Sequence, residues 1–596
     1  MKKIKLKENH FKKEEFTSYI QQYLKTLGIN KVESFINKPL EEDEEDSFNL
    51  TNMRKAVDVT YSQLKDGGKI FVMVDSDTDG YTSSAILINY LKRRFPALKI
   101  DWALHKGKEH GIELEAVPSD AKVVFIPDAG SNQFEEQEKL TSLGMKVIVL
   151  DHHEVSDIDK IYSSPAIIVN NQISENYNNK ALSGAGVVYK FIKSMDEIYF
   201  PTDKICREYI DLAAIGIIAD VMDMRSLDNN YISYYGLLNI KNKFIKELAF
   251  KQSKNMKGIK NPYHLTKNDV SFYIAPIING VVRSGTEEDK EIVFESMITY
   301  EDSNLYSHVY RGTEKQETIW EKAVRLATNA KNRQDAAKKK SFAVLCEKIK
   351  KEKLDEHNII IVALNKEESE KVNPNITGLI AMELVKEFNR PVLLLRETEL
   401  DGQKVYGGSG RNGNFYELPN LKLMLSEAGG YYEEGHPNAF GVFLLESQIS
   451  DIVNYFDTKI DKEIFNNTLY EVDYWFHTGE TIDIQMLKEI AEYDYLWNSS
   501  IPQPKFAFDL NYAAENIQTM GSNNDSLKIY YNGISFIAFK CPELIEALKE
   551  QDRGHITIIG SAQINEYNGY RNIQVIIDDI EIFKENNNIN SILELI

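Results

Sequence analysis

Three short runs constrain this chain more than any other feature: KIFVMVD (69–75), KVVFIPD (122–128) and KVIVLD (146–151). Each is rich in β-branched and apolar residues and lacks polar alternation, the pattern of strands buried on both faces. Between them lie SSAILINYLKRRF (83–95) and EEQEKLTSLG (135–144), which read as helices. Strand and helix in alternation predict a parallel sheet with covered faces over residues 51–225. Each run also ends in aspartate: Asp75 (with Asp77 and Asp79 close behind), Asp128 and Asp151. In an open parallel sheet the carboxyl ends of the strands form one edge, where ligands bind. The acids are therefore expected at a common site.

Like charges gathered at one point repel unless a cation neutralises them. Two imidazoles, His152 and His153, follow Asp151 directly, and Asp220 ends the apolar helical run DLAAIGIIAD (211–220). Carboxylates with imidazole and no thiolate make a hard site, suited to Mn²⁺ or Mg²⁺ and to a pair of ions. Such a pair hydrolyses phosphate esters or anhydrides. A lone strand-end Asp is also an ordinary turn former or helix N-cap. The triple-Asp cluster resembles a calcium loop but lacks the bidentate Glu that follows the Gly in such loops. Recurrence at three successive strand ends is what favours a metal site.

The rest of the chain reads as a series of further domains, as 596 residues require. Residues 1–50 are expected to be a charged helical lead-in ending in EEDEED, and 226–340 a helical connector with a basic stretch at Lys331, Arg333, Lys338, Lys339 and Lys340. Strands return over 341–450 (SFAVLC, NIIIVAL, PVLLLR, VYGGSG, AFGVFLL) around the helix NITGLIAMELVKEF, predicting a second, smaller α/β domain. Residues 451–502 read as a connector. The short aromatic and β-branched runs of 503–585, with YNG twice, predict a small β-barrel. Cys206, Cys346 and Cys541 are far apart and odd in number, so a reducing cytoplasm is expected. No apolar run reaches bilayer length, and the N-terminus lacks the apolar segment of a secretory signal. A net charge of −21 argues against a general nucleic-acid coat protein but leaves room for a local basic groove.

At these residues the sequence resembles the DHH phosphoesterase superfamily, and within it the RecJ exonucleases. DSDTDGYTS (75–83), Asp128, the DHH triplet 151–153 and LAAIGIIADVMDM (212–224) look like the four motifs in order. LSGAGVVYKF (182–191), APIINGVVRSG (275–285), GLIAMELVKEFNRPVLLL (378–395) and NEYNGYRNIQVII (565–577) also look like RecJ blocks. The resemblance implies a parallel-sheet DHH domain, a helical connector, a smaller DHH-associated α/β domain across a cleft, and a C-terminal OB-type barrel. It implies Asp77, Asp79, Asp128, His152 and Asp220 as metal ligands, with Asp75 and Asp151 as ligands or as partners that orient them. His153 would contact the scissile phosphate, and Asp77, Asp79, His152 and His153 would form the catalytic core around two Mn²⁺ ions, with Mg²⁺ as the alternative.

The Gly-rich turns YGGSGRNG (406–413) and EEGHPNAFG (433–441) are, on spacing alone, also ordinary hairpin loops. The resemblance makes Ser409, Arg411, Gly435 and His436 substrate contacts, joined by Arg283; Gly435 stands in a Glu–Gly–His triplet where the family has Gly–Gly–His. The family's Arg in the loop after the second strand has no clean counterpart in ALHKGKEHGIE (103–113), so His105 or Lys106 would take its place. Tyr530, Tyr531, Tyr567, Tyr570, Lys528, Lys540 and Arg571 are the expected single-strand contacts of the barrel. The implied activity is 5′→3′ hydrolysis of single-stranded DNA to 5′-mononucleotides in repair, recombination or replication, with a single-strand-binding protein or helicase as partner. The alternatives are a DHH phosphodiesterase of short oligoribonucleotides or cyclic dinucleotides, and an inactive DNA- or replication-partner-binding accessory protein.

Overall fold

The structure is a computed structural model that describes residues 3–8, 10–11, 18–105, 110–256, 264–400, 402–413, 415, 418–430, 432–465, 469–550, 553–567 and 569–583. The chain divides into two compact units, one of Asn37–Lys462 and one of Met1–Ile36 with Glu463–Ile596. No helix of the described residues is long and apolar enough to cross a membrane.

The larger unit opens with five strands: β1 (Gly68–Val74), β2 (Leu98–Leu104), β3 (Val123–Pro127), β4 (Lys146–Asp151) and β5 (Ile167–Asn170). They form one sheet in the order β2-β1-β3-β4-β5, every pair parallel. The three runs read from sequence are its central strands. The edge strands are weaker in sequence: β2 carries Lys99 and Asp101 on its solvent side, and β5 is four residues long. Chain order reverses between β1 and β3, which places a topological switch point where Asp75 and Asp128 end their strands.

Three helices hold this edge. α1 (Thr78–Arg94) leaves β1, α2 (Gly184–Tyr199) packs on α1, and α3 (Ile210–Ala219) packs on both. Residues 210–218 of α3 are all buried, so the helix runs through the core and ends at Asp220. α4 (Ala275–Ser284) follows a short π-helical turn, Val270–Ile274. A hairpin, Tyr306–Tyr310 with Thr313–Glu317, interrupts the connector read as helical.

α5 (Ile319–Lys351) is a single helix of 33 residues, and it corrects one expectation: SFAVLC, read as the first strand of the second domain, lies inside it. Leu345 and Ile349 are buried while Val344 is 54% exposed, an i, i+4 pattern rather than strand alternation. The second domain proper contains β6 (Ile360–Leu364), α6 (Thr377–Phe388), β7 (Val392–Leu400), β8 (Gln403–Arg411), β9 (Tyr432–His436) and β10 (Ala439–Leu444). Its sheet has the order β9-β10-β8-β7-β6, with only β6 and β7 parallel.

In the other unit, β11 (Tyr474–Phe476), β12 (Phe506–Ala513), β13 (Ile517–Met520), β14 (Ser526–Tyr531), β15 (Ile534–Ala538), β16 (Arg553–Tyr567) and β17 (Tyr570–Phe583) make an OB-type sheet ordered β11-β12-β16-β17-β15-β14-β13. The lead-in read as helical begins instead as a strand: Lys3–Leu6 pairs in parallel with Leu469–Val472. Lys7 Nζ reaches Asp473 Oδ1 at 2.8 Å and Phe11 stacks on Phe506, so apolar burial joins the first residues to the last domain. Residues 37–50 belong to the larger unit. There the EEDEED run meets a fully buried lysine: Lys190 Nζ lies 3.2 Å from Glu44 and 2.7 Å from Asp228.

Candidate metal centre and phosphate grip

The acids expected at one site converge there. His152 Nε2 lies 3.2 Å from Asp128 Oδ1, 3.5 Å from Asp220 Oδ2 and 4.0 Å from Asp79 Oδ2. Three overlapping groups could each hold a cation: Asp79, His152 and Asp220; Asp128, His152 and His153; Asp75, Asp77 and Asp128. Local structure explains how each side chain arrives. Asp77 is the N-cap of α1 and accepts from the Gly80 N–H at 2.9 Å, so the ordinary capping role and the site coexist in one residue. Asp79, in the first turn of α1, faces the N-terminus of α2, where its carboxylate accepts from Ser183 Oγ (2.9 Å), the Gly184 N–H (2.7 Å) and the Ala185 N–H (3.1 Å). Asp128 takes a left-handed backbone, φ 65°, which turns its side chain off the end of β3.

Asp220 caps the C-terminus of α3. The next residue, Val221, stands at φ 56°, where glycine is favoured, and the Met222 and Val221 N–H groups donate to Ile217 and Ile218 carbonyls. A β-branched residue there is strained, as occurs at functional sites.

Three glycines make the convergence possible. A Cβ on Gly184 would lie 2.2 Å from Asp128 Oδ1, one on Gly216 2.2 Å from Asp79 Oδ1, and one on Gly80 2.6 Å from Asp75 Cβ. Any side chain at these positions would occupy the acids' space.

Burial and the charge of neighbouring acids raise three of the carboxyls, those of Asp77, Asp128 and Asp220. Asp77 is pushed up to about 6 by burial, then by Asp79 and Asp75, and Asp220 to about 8 by burial, then by Asp79 and Asp77. Asp128 is raised well above the usual range by burial and the same neighbours. Burial lowers the His152 imidazole, so it is a neutral donor. Asp128 Oδ1 is buried and has no hydrogen-bond partner among the described residues. An unpaired buried carboxylate oxygen beside a neutral imidazole, among oxygen donors and without thiolates, fits a hard divalent cation.

Asp151 plays a different part. Its Oδ1 accepts from the His152 N–H (2.7 Å), the His153 N–H (3.2 Å) and His153 Nδ1 (2.8 Å), and its Oδ2 from the Ser131 N–H (3.0 Å). Burial works against the carboxylate, but the His153 hydrogen bond and charge outweigh it and hold Asp151 well below its usual range. His153 rises in turn to about 9, chiefly through that hydrogen bond. Asp151 thus orients the DHH loop and keeps His153 cationic.

The structure adds a residue not singled out from sequence. His110 Nδ1 lies 2.7 Å from Asp75 Oδ2, and the Gly111 N–H donates to Asp75 Oδ1 at 3.3 Å. The Asp75 hydrogen bond, against burial, raises the His110 imidazole. His105, expected as a substrate contact, is 5% exposed; neither ring nitrogen has a hydrogen-bond partner among the described residues, and Nδ1 is 3.8 Å from Glu113. A buried ring cannot meet a strand directly. Lys106 lies outside the described residues. Asn279 of α4 is a second unforeseen support: its Oδ1 accepts from the Thr78 N–H (3.1 Å) and Thr78 Oγ1 (2.9 Å), clamping the first residue of α1 between Asp77 and Asp79.

Arg283, at the end of α4, and Arg411, at the end of β8, are half-buried neighbours. Burial lowers the Arg283 guanidinium while Asp77 opposes the shift; burial and Arg283 both lower Arg411. Neither guanidinium forms a direct ion pair among the described residues. Arg411 packs over Gly378 at the start of α6, where a Cβ would lie 2.3 Å from its Nη2, and Ser409 Oγ is 2.9 Å from Thr377 Oγ1. Two guanidinium groups without a direct ion pair among the described residues, beside hydroxyls and a helix N-terminus, suit an oxyanion. Gly435 adopts φ 122°, and His436 is exposed at the end of β9. In the OB sheet Tyr530 is 49% and Tyr570 74% exposed, and Arg571 is exposed; Tyr531 and Lys528 are half-buried, and Lys540 is exposed. The Tyr567 side chain lies outside the described residues.

The domain that carries the acid cluster is of the DHH class: residues 69–217 match the DHH family, N-terminal domain, and residues 478–579 match the RecJ OB domain. The chain is 32% identical over 573 residues to a Bacillus subtilis (strain 168) protein named "Putative SPbeta prophage-derived single-strand DNA-specific exonuclease YorK", covering 94% of this chain and 95% of that one. It is 25% identical to the single-stranded-DNA-specific exonuclease RecJ of Bacillus subtilis (strain 168), over 90% of this chain and 64% of that protein. The crystal structure of RecJ in complex with Mn²⁺ from Thermus thermophilus shares the fold, with TM-score 0.71 at 20% identity over 94% of this chain and 75% of that one. The chain belongs to the RecJ family of DHH proteins.

Proposed function

We propose that this protein is a metal-dependent exonuclease that degrades single-stranded DNA from its 5′ end to 5′-mononucleotides. The convergence of Asp79, Asp128 and Asp220 on His152 Nε2 within 4.0 Å carries the reading. Relatives named as single-strand-specific exonucleases support it. Asp77, Asp79, Asp128, His152 and Asp220 would hold the cations, two Mn²⁺ or, less well, Mg²⁺. When bound, such ions lower the pKa of water and neutralise phosphate charge.

The remaining roles fall to the protein. Asp151 and Asp75 orient the neighbours that they hydrogen-bond, and His153, kept cationic by Asp151, meets a non-bridging oxygen of the scissile phosphate. Arg283, Arg411 and Ser409 grip the 5′-terminal phosphate, with Gly435 and His436 closing the turn beside them. One backbone lying in this site needs an unpaired strand. On the OB sheet, Tyr530, Tyr570 and Arg571 hold bases and backbone of a single strand. The compartment is the cytoplasm, where single-strand-binding protein or a helicase would present the substrate.

The test compares nucleotide release from 5′-phosphorylated, 5′-hydroxyl and blunt duplex DNA in Mn²⁺. Release is expected from the single strands only, with its loss by about 10³-fold or more in Asp79→Ala and His152→Ala with melting profiles retained. Release from a dinucleotide but not from a long strand would instead indicate a small-substrate DHH phosphodiesterase.

A further inference from the structure

Two carboxylate–imidazole pairs stand on the carboxyl edge of the sheet. At the end of β4, His153 Nδ1 is 2.8 Å from Asp151; at the end of β1, His110 Nδ1 is 2.7 Å from Asp75. β3, whose end carries Asp128, lies between them in the sheet. Both carboxylates are buried, at 1% and 3% side-chain exposure, and both imidazole side chains are 58% exposed. In each pair the nitrogen nearer the backbone is spent on the carboxylate. More than half of each side chain then remains open to solvent, with Nε2 as its outer polar atom. The two pairs are alike in chemistry, distance and exposure, and they bracket the acid cluster.

The bracket matters because the cluster repels the ligand it must receive. Asp75, Asp77, Asp79, Asp128 and Asp220 are all acidic, and an incoming phosphodiester is an anion. Hydrogen-bond donors on the rim are needed on each side of it. Arg283, Arg411 and His153 are such donors. On the β1–β2 side, His105 is buried and turned to Glu113.

Resting on the nuclease reading above, we propose that His110 is a substrate-binding residue, a counterpart of His153 that donates from Nε2 to a phosphate oxygen of the bound strand, with Asp75 holding its ring in place. The Asp75 carboxylate has both oxygens engaged by the same loop, through His110 Nδ1 and the Gly111 N–H. Its first duty is then to present His110 rather than to coordinate a cation.

The experiment uses His110→Asn, whose amide keeps a donor at the Nδ1 position and loses Nε2, alongside His110→Ala. Three quantities are measured on the full chain: melting, the dissociation constant of Mn²⁺ alone by calorimetry, and the dissociation constant of a 5′-phosphorylated single-stranded oligonucleotide with Ca²⁺ in place of Mn²⁺. A hydrogen bond to a charged group corresponds to about tenfold or more in binding. His110→Asn is expected to weaken the oligonucleotide about tenfold, raise KM more than it lowers kcat, and leave Mn²⁺ affinity within about twofold. Unchanged oligonucleotide binding would overturn the proposal. So would a loss of Mn²⁺ affinity as large as the loss of oligonucleotide affinity, because His110 would then act only through the cation site. A parent protein that binds no single strand would sink the nuclease reading and this inference together, whereas a cleaving parent matched by His110→Asn sinks the inference alone.

Discussion

Asp128 concentrates the tension of the site in one side chain. Its backbone is left-handed at φ 65°, its Oδ1 is buried without a hydrogen-bond partner among the described residues, and burial followed by its acidic neighbours raises its carboxyl. Without a cation such a group destabilises the fold. Asp128→Asn should therefore leave the metal-free protein as stable as the parent or more so, by about 1–3 kcal/mol, while the melting shift that Mn²⁺ produces disappears. Differential scanning calorimetry with and without Mn²⁺ checks both. The pH dependence has a definite sign. Asp77 near 6 and Asp220 near 8 both titrate above the ordinary carboxylate range, so the folded metal-free state holds protons that the unfolded chain has released. Its stability should fall as pH rises from about 4 through 6 to 8. Mn²⁺ affinity should rise over about pH 6–8, because those protons must leave before a cation binds. Calorimetric Mn²⁺ titrations in buffers of different ionisation enthalpy would detect the proton release.

At the scale of elements, the site exists because helices approach the sheet edge more closely than side chains normally allow. Gly216 on α3 and Gly184 on α2 leave room for Asp79 and Asp128. Gly216→Ala would place a Cβ 2.5 Å from Ala185 Cβ as well as 2.2 Å from Asp79 Oδ1. We expect a loss of about 1–3 kcal/mol in stability and a roughly tenfold or larger drop in Mn²⁺ affinity, read by urea melts and calorimetry. The central strands and their terminal acids were legible because fully buried strands write themselves as unbroken apolar runs. The edge strands β2 and β5 were not, one being interrupted by Lys99 and Asp101 and the other four residues long. SFAVLC was misleading because a run of apolar and small residues suits a strand and a helix equally until the burial of Leu345 and Ile349 fixes the period. His110 escaped notice for a different reason: its partner lies 35 residues earlier, and only the crossover after β2 brings them together.

For the whole molecule, charge and aromatic placement shape how DNA is held. A chain of net charge −21 cannot bind a polyanion by its overall field, so affinity must come from local donors and from stacking. Tyr530 and Tyr570 are exposed on the OB sheet, where bases can stack on them. Tyr570→Ala and Tyr530→Ala should each weaken a long single-stranded oligonucleotide by about 1–3 kcal/mol and leave Mn²⁺ affinity unchanged, as fluorescence anisotropy and calorimetry would report. The Lys3–Leu6 strand and Phe11 tie the start of the chain into the same unit, an assignment no local reading of a lysine-rich N-terminus would make, because their partners come from the far end of the sequence. The most direct test of the account is anomalous diffraction at the manganese edge from crystals grown in Mn²⁺. Two peaks are expected within coordinating distance of Asp77, Asp79, Asp128, His152 and Asp220; a cluster that binds no manganese, with peaks elsewhere or none, would refute a metal-dependent site there.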